Sequence, residues 1–177
     1  MRKTGLFLGG IFLNLLFANS LCRKADAEPQ LPPITQIGAN TFGCLVNGIV
    51  FLPKGSTETG KPNYRVMVDP TYNDGQFSVN CYAVINSNET QFLDFGSDSI
   101  KGIGRYPLRI VGRLRIAWSS ADCKTDVFDT ISYRNGYLNI TRYDLPVGIF
   151  SGEFEFTYKP PTCDTIRITS GRFDYKF

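Results

Sequence analysis

The sequence predicts an all-β domain, an antiparallel β-sandwich or open barrel of roughly eight to nine strands, and three observations carry that expectation. Apolar residues recur at every second position in several segments, the period at which side chains share one face of a strand. Turn residues drawn from 17 Gly and 10 Pro punctuate the chain, at roughly ten-residue spacing as in all-β folds. Fourteen Phe, nine Tyr and one Trp suit pleated surfaces, and no segment carries a helical period. Residues 97–104 have room for at most one helical turn.

The chain opens with a targeting signal. Met1-Arg2-Lys3 is a basic start, and residues 5–18 (GLFLGGIFLNLLFA) form an apolar run shorter than the about 20 residues a spanning helix needs. Residues 1–21 are therefore assigned to a signal peptide. Ala25-Asp26-Ala27 offers an alternative cleavage after residue 27, and Ala18-Asn19-Ser20 a weaker small-x-small pattern. Cys22, followed by the polar, Pro-rich stretch RKADAEPQLPP, has the arrangement with which a bacterial lipoprotein begins, lipid on the thiol and then a tether. Its preceding residue, Leu21, is larger than the small residue such signals normally place there.

Residues 22–40 read as a Pro-rich linker, and the β-rich domain as 41–177. In TFGCLVNGIVFL (41–52), Asn47-Gly48 between two apolar runs predicts a type I′ hairpin, because both residues tolerate positive φ. Such a turn sets Val46 opposite Ile49 and Cys44 opposite Phe51. Residues 54–63 are loop chemistry, 64–68 a short strand, and 69–75 (DPTYNDG) a turn. Over 76–86, Phe77, Val79, Cys81, Ala83 and Ile85 share one face, with Gln76, Ser78, Asn80 and Asn86 opposite; Tyr82 and Val84 imply that the outer face is partly covered.

A further strand is expected at 90–95, and one long strand over 106–118 with Leu108, Ile110, Leu114, Ile116 and Trp118 inward. Residues 137–142 lead to a strand at 150–158 that turns Phe154, Phe156 and Tyr158 inward and Glu153, Glu155 and Thr157 outward. The last strand, 165–175, has Ile166 and Ile168 inward, with a bulge at Gly171 before Phe173 and Tyr175.

Charge and histidine content exclude several function classes. Losing Arg2 and Lys3 lowers the net charge from +3 to +1, and cleavage after Ala27 also removes Arg23, Lys24 and Asp26, leaving 15 basic against 15 acidic residues. A near-neutral mature chain gives no reason to expect nucleic acid as a partner. The sequence has no histidine, which removes Ser-His and Cys-His nucleophilic catalysis and the commonest catalytic zinc sites.

Four cysteines remain beside Cys22, with three possible pairings. Cys44 and Cys81 lie on apolar strand faces as small hydrophobes, whereas Cys123 and Cys163 lie in loop-like contexts, so a Cys123–Cys163 disulfide is expected. Arg105, Arg109, Arg113 and Arg115 could hold an anion, but this spacing is that of a solvated sheet face, with Glu153 and Glu155 as cross-strand partners. Those two glutamates could also be proposed as the acid pair of a glycoside hydrolase, although Arg167 on the following strand favours both remaining ionised. The acidic turns at 69–75 and 94–98 lack the ligand spacing of a calcium loop and read as Asx turns. No catalytic residue, metal ligand or cofactor is expected.

Four segments, LPPITQIGANTFGCLVNGIVF (31–51), YRNGYLNITRYD (133–144), SGEFEFT (151–157) and ITSGRFD (168–174), carry a resemblance that spans most of the mature chain. On them the chain resembles the DUF6252-like family of uncharacterised Bacteroidota cell-envelope lipoproteins. The final motif of that family more often reads TDGRFD, so Ser170 departs from it at a polar position. The resemblance implies one β-rich domain behind a lipidated cysteine, here Cys22, and brings no activity with it.

The expected function is that of an exported, lipid-anchored cell-envelope β-domain acting as a non-catalytic binding or structural module. Its expected partners are a membrane, reached through the N-terminal lipid, and a protein or glycan ligand of unassigned identity. The expected location is the outer membrane or cell surface, or, without lipid, the periplasm or medium. The alternatives are a carbohydrate-binding domain, which needs an exposed row of aromatics, and a carboxylate-dependent hydrolase.

Overall fold

The computed structural model of the chain describes residues 30–55, 63–72, 74–107, 114–123, 133–161 and 163–177. Among them are ten strands: β1 (Thr41–Val46), β2 (Ile49–Phe51), β3 (Tyr64–Asp69), β4 (Gln76–Asn86), β5 (Glu89–Ser97), β6 (Gly104–Pro107), β7 (Leu114–Ser119), β8 (Tyr133–Asp144), β9 (Ile149–Lys159) and β10 (Ile166–Lys176). They form two antiparallel sheets, one ordered β2-β1-β10-β9-β8-β6 and the other β3-β4-β5-β7. The all-β expectation therefore resolves to a sandwich and not a closed barrel.

Local chemistry sets the turns. Asn47 and Gly48 adopt φ of 50° and 84°, and the hairpin pairs Val46 with Ile49 and Cys44 with Phe51, the register that a two-residue type I′ loop demands. Asn47 also binds β10, its N–H donating to Arg167 O and its Oδ1 accepting from Arg167 N, both at 2.8 Å. At the β3–β4 turn, Asp69 Oδ1 accepts from Thr71 N, Thr71 Oγ1 and Tyr72 N, an Asx turn.

The core lies between the sheets and is largely aromatic. Phe77 of β4 packs on Phe150 and Phe173, with ring centroids 5.1 and 5.6 Å away. Phe95 of β5 meets Phe154 at 4.4 Å and Phe156 at 5.6 Å. All six rings are buried, and such pairs add about 0.5–1.5 kcal/mol each beyond their area burial. Cys44 and Cys81 are buried free thiols, and Cys123 is bonded to Cys163, as the contexts of the four cysteines predict.

Three expectations need correction. The single strand expected over 106–118 is two strands in different sheets, β6 against β8 and β7 against β5; residues 108–113, with Arg109 and Arg113, lie outside the described residues. On β4, Ile85 is exposed and not inward, because a register shift between Val84 and Asn86 interrupts the pairing with β5 and re-aims the side chain; Ser78, on the face expected to be partly covered, is fully buried. Finally, residues 30–40 lie on the domain, as described next. The bulge on β10 falls where the sequence places it, between Ile168 and Gly171, with Ser170 at φ 52°.

Candidate functional site

Two neighbouring strands bring Asp174 of β10 opposite Ser151 of β9. Alternation along β10 puts Asp174 on the outer face, since Phe173 beside it points into the core. It is nevertheless only 1 % exposed, because the segment preceding β1 crosses that face as a strap. Asp174 accepts from Thr35 Oγ1 (2.7 Å), Ile37 N (3.0 Å), Gly38 N (2.9 Å), Ala39 N (3.0 Å) and Ser151 Oγ (2.7 Å). Burial alone would raise this carboxyl, but the hydrogen bonds from Ser151, Thr35, Ala39 and Gly38 outweigh it and hold the group at about 2.

Further contacts lay the strap across the sheet. Arg172 Nη1 donates to Pro32 O at 3.2 Å, Arg142 Nη1 donates to Gln36 O, and Lys176 N donates to Asn40 Oδ1 at 3.0 Å. Positive φ at Gly38 (74°) and Asn40 (55°) turns the strap into β1. Gly43 is needed beneath it, since a Cβ there would stand 2.8 Å from Pro32 Cδ and Leu52 Cδ2.

Where the strap reaches the edge of the sandwich, it borders a cleft of about 520 Å³. Phe42, Leu52, Pro53 and Tyr64 supply its apolar surface, and Gln30, Asn40 and Asn63 its polar groups. Tyr64 is 8 % exposed, and its hydroxyl has no hydrogen-bond partner among the described residues. Burial, then the nearby Tyr175 and Asp174, push this phenol upward, so it is neutral. An apolar cleft of this size with a few polar groups has the composition of a small-ligand or peptide site. Among the described residues its lining contains no carboxylate, thiol or amine.

The residues singled out by sequence are dispersed. Cys22 lies outside the described residues. Arg105 is exposed on β6, its guanidinium carbon 3.7 Å from the centroid of the Tyr137 ring. Arg115 is on β7 of the other sheet, so the expected arginine face does not form from these two. Glu155 lies opposite Tyr137, receives a hydrogen bond from its hydroxyl, and accepts from Ser170 N at 3.3 Å; it supports the β10 bulge. Glu153 faces Arg172 on β10 and Asn139 on β8, a pairing of ordinary sheet-surface type. Burial pushes the Cys44 and Cys81 thiols upward, which makes them poor nucleophiles. Among the described residues no group of His, Cys, Asp and Glu is arranged to hold a metal ion.

Sequence reasoning missed Asp174 and the strap. The one available signal was an acid between Phe173 and Tyr175 on a strand whose neighbouring positions are apolar; the cover that buries it comes from the other end of the chain. No family model, curated protein or solved structure matches the chain.

Proposed function

We propose that this is an exported, lipid-anchored domain of a bacterial cell envelope that binds a partner without catalysing a reaction, of the kind its resemblance to the DUF6252-like lipoproteins implies. The observation that carries the reading is the docking of the strap. A chain that leaves a lipidated Cys22 has only residues 23–29 before it reaches Gln30, a reach of at most roughly 25–30 Å when fully extended. From there the Asp174 hydrogen bonds and the two arginine contacts hold it to the sheet. The tether is thus short and its exit fixed, and the cleft beside Gln30 and Pro32 is held close to the membrane.

A binding role fits a cleft whose described lining is largely apolar and carries amide groups. Two alternatives find less support. A carbohydrate platform requires exposed, coplanar rings, whereas the large aromatics of β4, β5, β9 and β10 turn mostly inward, and the exposed Tyr72, Phe92 and Phe177 belong to separate segments. A carboxylate-dependent hydrolase built on Glu153 and Glu155 conflicts with the engagement of Glu155 by Ser170 and Tyr137.

Intact mass of the protein from its native membrane fraction tests the anchor. A chain starting at Cys22 and carrying two or three acyl groups, lost in Cys22→Ser, is the expected result. A chain starting at Glu28 in the soluble fraction overturns it.

A further inference from the structure

The second sheet ends in β3, whose outer side has no partner among the described residues. Among the described residues this edge has no interruption, since its six residues, YRVMVD, contain no Pro or Gly and pair with β4 from Tyr64 to Asp69 without a register shift; its two charges, Arg65 and Asp69, are of opposite sign and so do not repel a second copy. Natural edge strands of this length are normally blunted by bulges, prolines or brevity. In the other sheet the edge strand β2 has only three residues. An uninterrupted edge is a template for another strand.

The sequence of β3 selects which strand. Along it Arg65, Met67 and Asp69 point to solvent, while Val66 and Val68 face the sandwich interior. Antiparallel pairing of β3 with its own copy, centred on Met67, places Arg65 opposite Asp69 of the second chain, Val66 opposite Val68, and Met67 opposite itself. Both ends then carry an opposite-charge pair on the outer face. Moving the register by two residues in either direction puts Met67 against one of the charged residues and loses both pairs. A two-fold interface requires this kind of self-complementarity.

The surroundings fit the same register. Asp69 uses Oδ1 to cap its turn, which leaves Oδ2 available to a guanidinium. A groove of about 510 Å³ runs along Arg65 to Asp69, walled by Tyr175 and Phe177 of the opposite sheet. It gives room on the inner side for Val66 and Val68 of the arriving strand. Phe177, 56 % exposed, would gain cover.

We propose that the protein forms a two-fold dimer through β3, joining two four-stranded sheets into one of eight, with Arg65 and Asp69 paired across the axis. This inference is independent of the anchor.

Sedimentation of the mature protein, in density-matched detergent where it carries lipid, should show a monomer–dimer equilibrium. Arg65→Asp places like charges at both ends and should weaken the dimer by roughly tenfold or more, as should Asp69→Arg. Mixing the two variants restores both opposite-charge pairs and should restore a dimer, as should the double exchange in one chain. Met67→Cys, at an exposed position, should form a disulfide-linked dimer under mild oxidation, since facing Cβ atoms in such a ladder stand about 4.5–5.5 Å apart. This last readout does not depend on the turn that Asp69 caps. A protein that stays monomeric, a dimer indifferent to Arg65→Asp, or a monomer that instead binds an extended peptide along β3 overturns the proposal.

Discussion

Asp174 is one carboxylate facing five donors, three of them backbone N–H groups of the strap. A group held at about 2 in the folded chain and near 3.9 in the unfolded one contributes stability above the unfolded value. That contribution is lost as pH falls from about 4 through about 2, and it amounts to roughly 2–3 kcal/mol. Asp174→Asn should therefore lower the unfolding free energy at pH 7 by about 2–4 kcal/mol, and flatten the acid limb between pH 4 and 2. Denaturant titrations across that range check both effects. The arrangement was half legible in sequence. GRFD marks a polar residue on an aromatic strand, but nothing near it predicts that its cover lies more than 130 positions upstream, as the pairing with Thr35 shows.

At the scale of elements, the strands that surround the strap are built for close approach. Gly136 lies on β8 opposite Phe156, where a Cβ would stand 2.1 Å from Glu155 O and 2.5 Å from Phe156 Cα. Both neighbours are backbone, so neither can rotate away. Gly136→Ala should destabilise the domain by about 2 kcal/mol or more, while the adjacent exposed Asn135→Ala should change stability by no more than about 0.5 kcal/mol. Urea midpoints at unchanged slope measure the difference. The strands themselves were readable, because their alternation is imposed by the pleat. The division of one expected strand into β6 and β7 was not, because residues on the inner faces of two facing sheets show the same period of two.

For the whole molecule, the Cys123–Cys163 bridge ties the chain just beyond β7 to the loop between β9 and β10, a separation of 40 residues. Closing a loop of that length in the unfolded chain is worth about 4 kcal/mol in the chain-entropy account. Cys163→Ser should accordingly cost about 2–4 kcal/mol, and the parent protein should lose a similar amount under reductant, with no further effect of reductant on the variant. Thermal unfolding with and without reductant compares the two.

What the sequence determined alone is local. The pleat dictates a period of two, Asn47-Gly48 dictates a type I′ turn through the φ values both residues tolerate, and the apolar settings of Cys44 and Cys81 leave Cys123 and Cys163 to the bridge. Each follows from a few neighbouring residues. The tertiary structure alone decided that residues 30–40 form a strap on the sheet, that Asp174 is buried beneath it, and that β3 has no outer partner among the described residues. Those outcomes depend on which distant segments meet, and a hydrogen bond between Thr35 and Asp174, 139 positions apart, is encoded in no local window. It exists only because β1 and β10 pair side by side and carry the strap across the face between them.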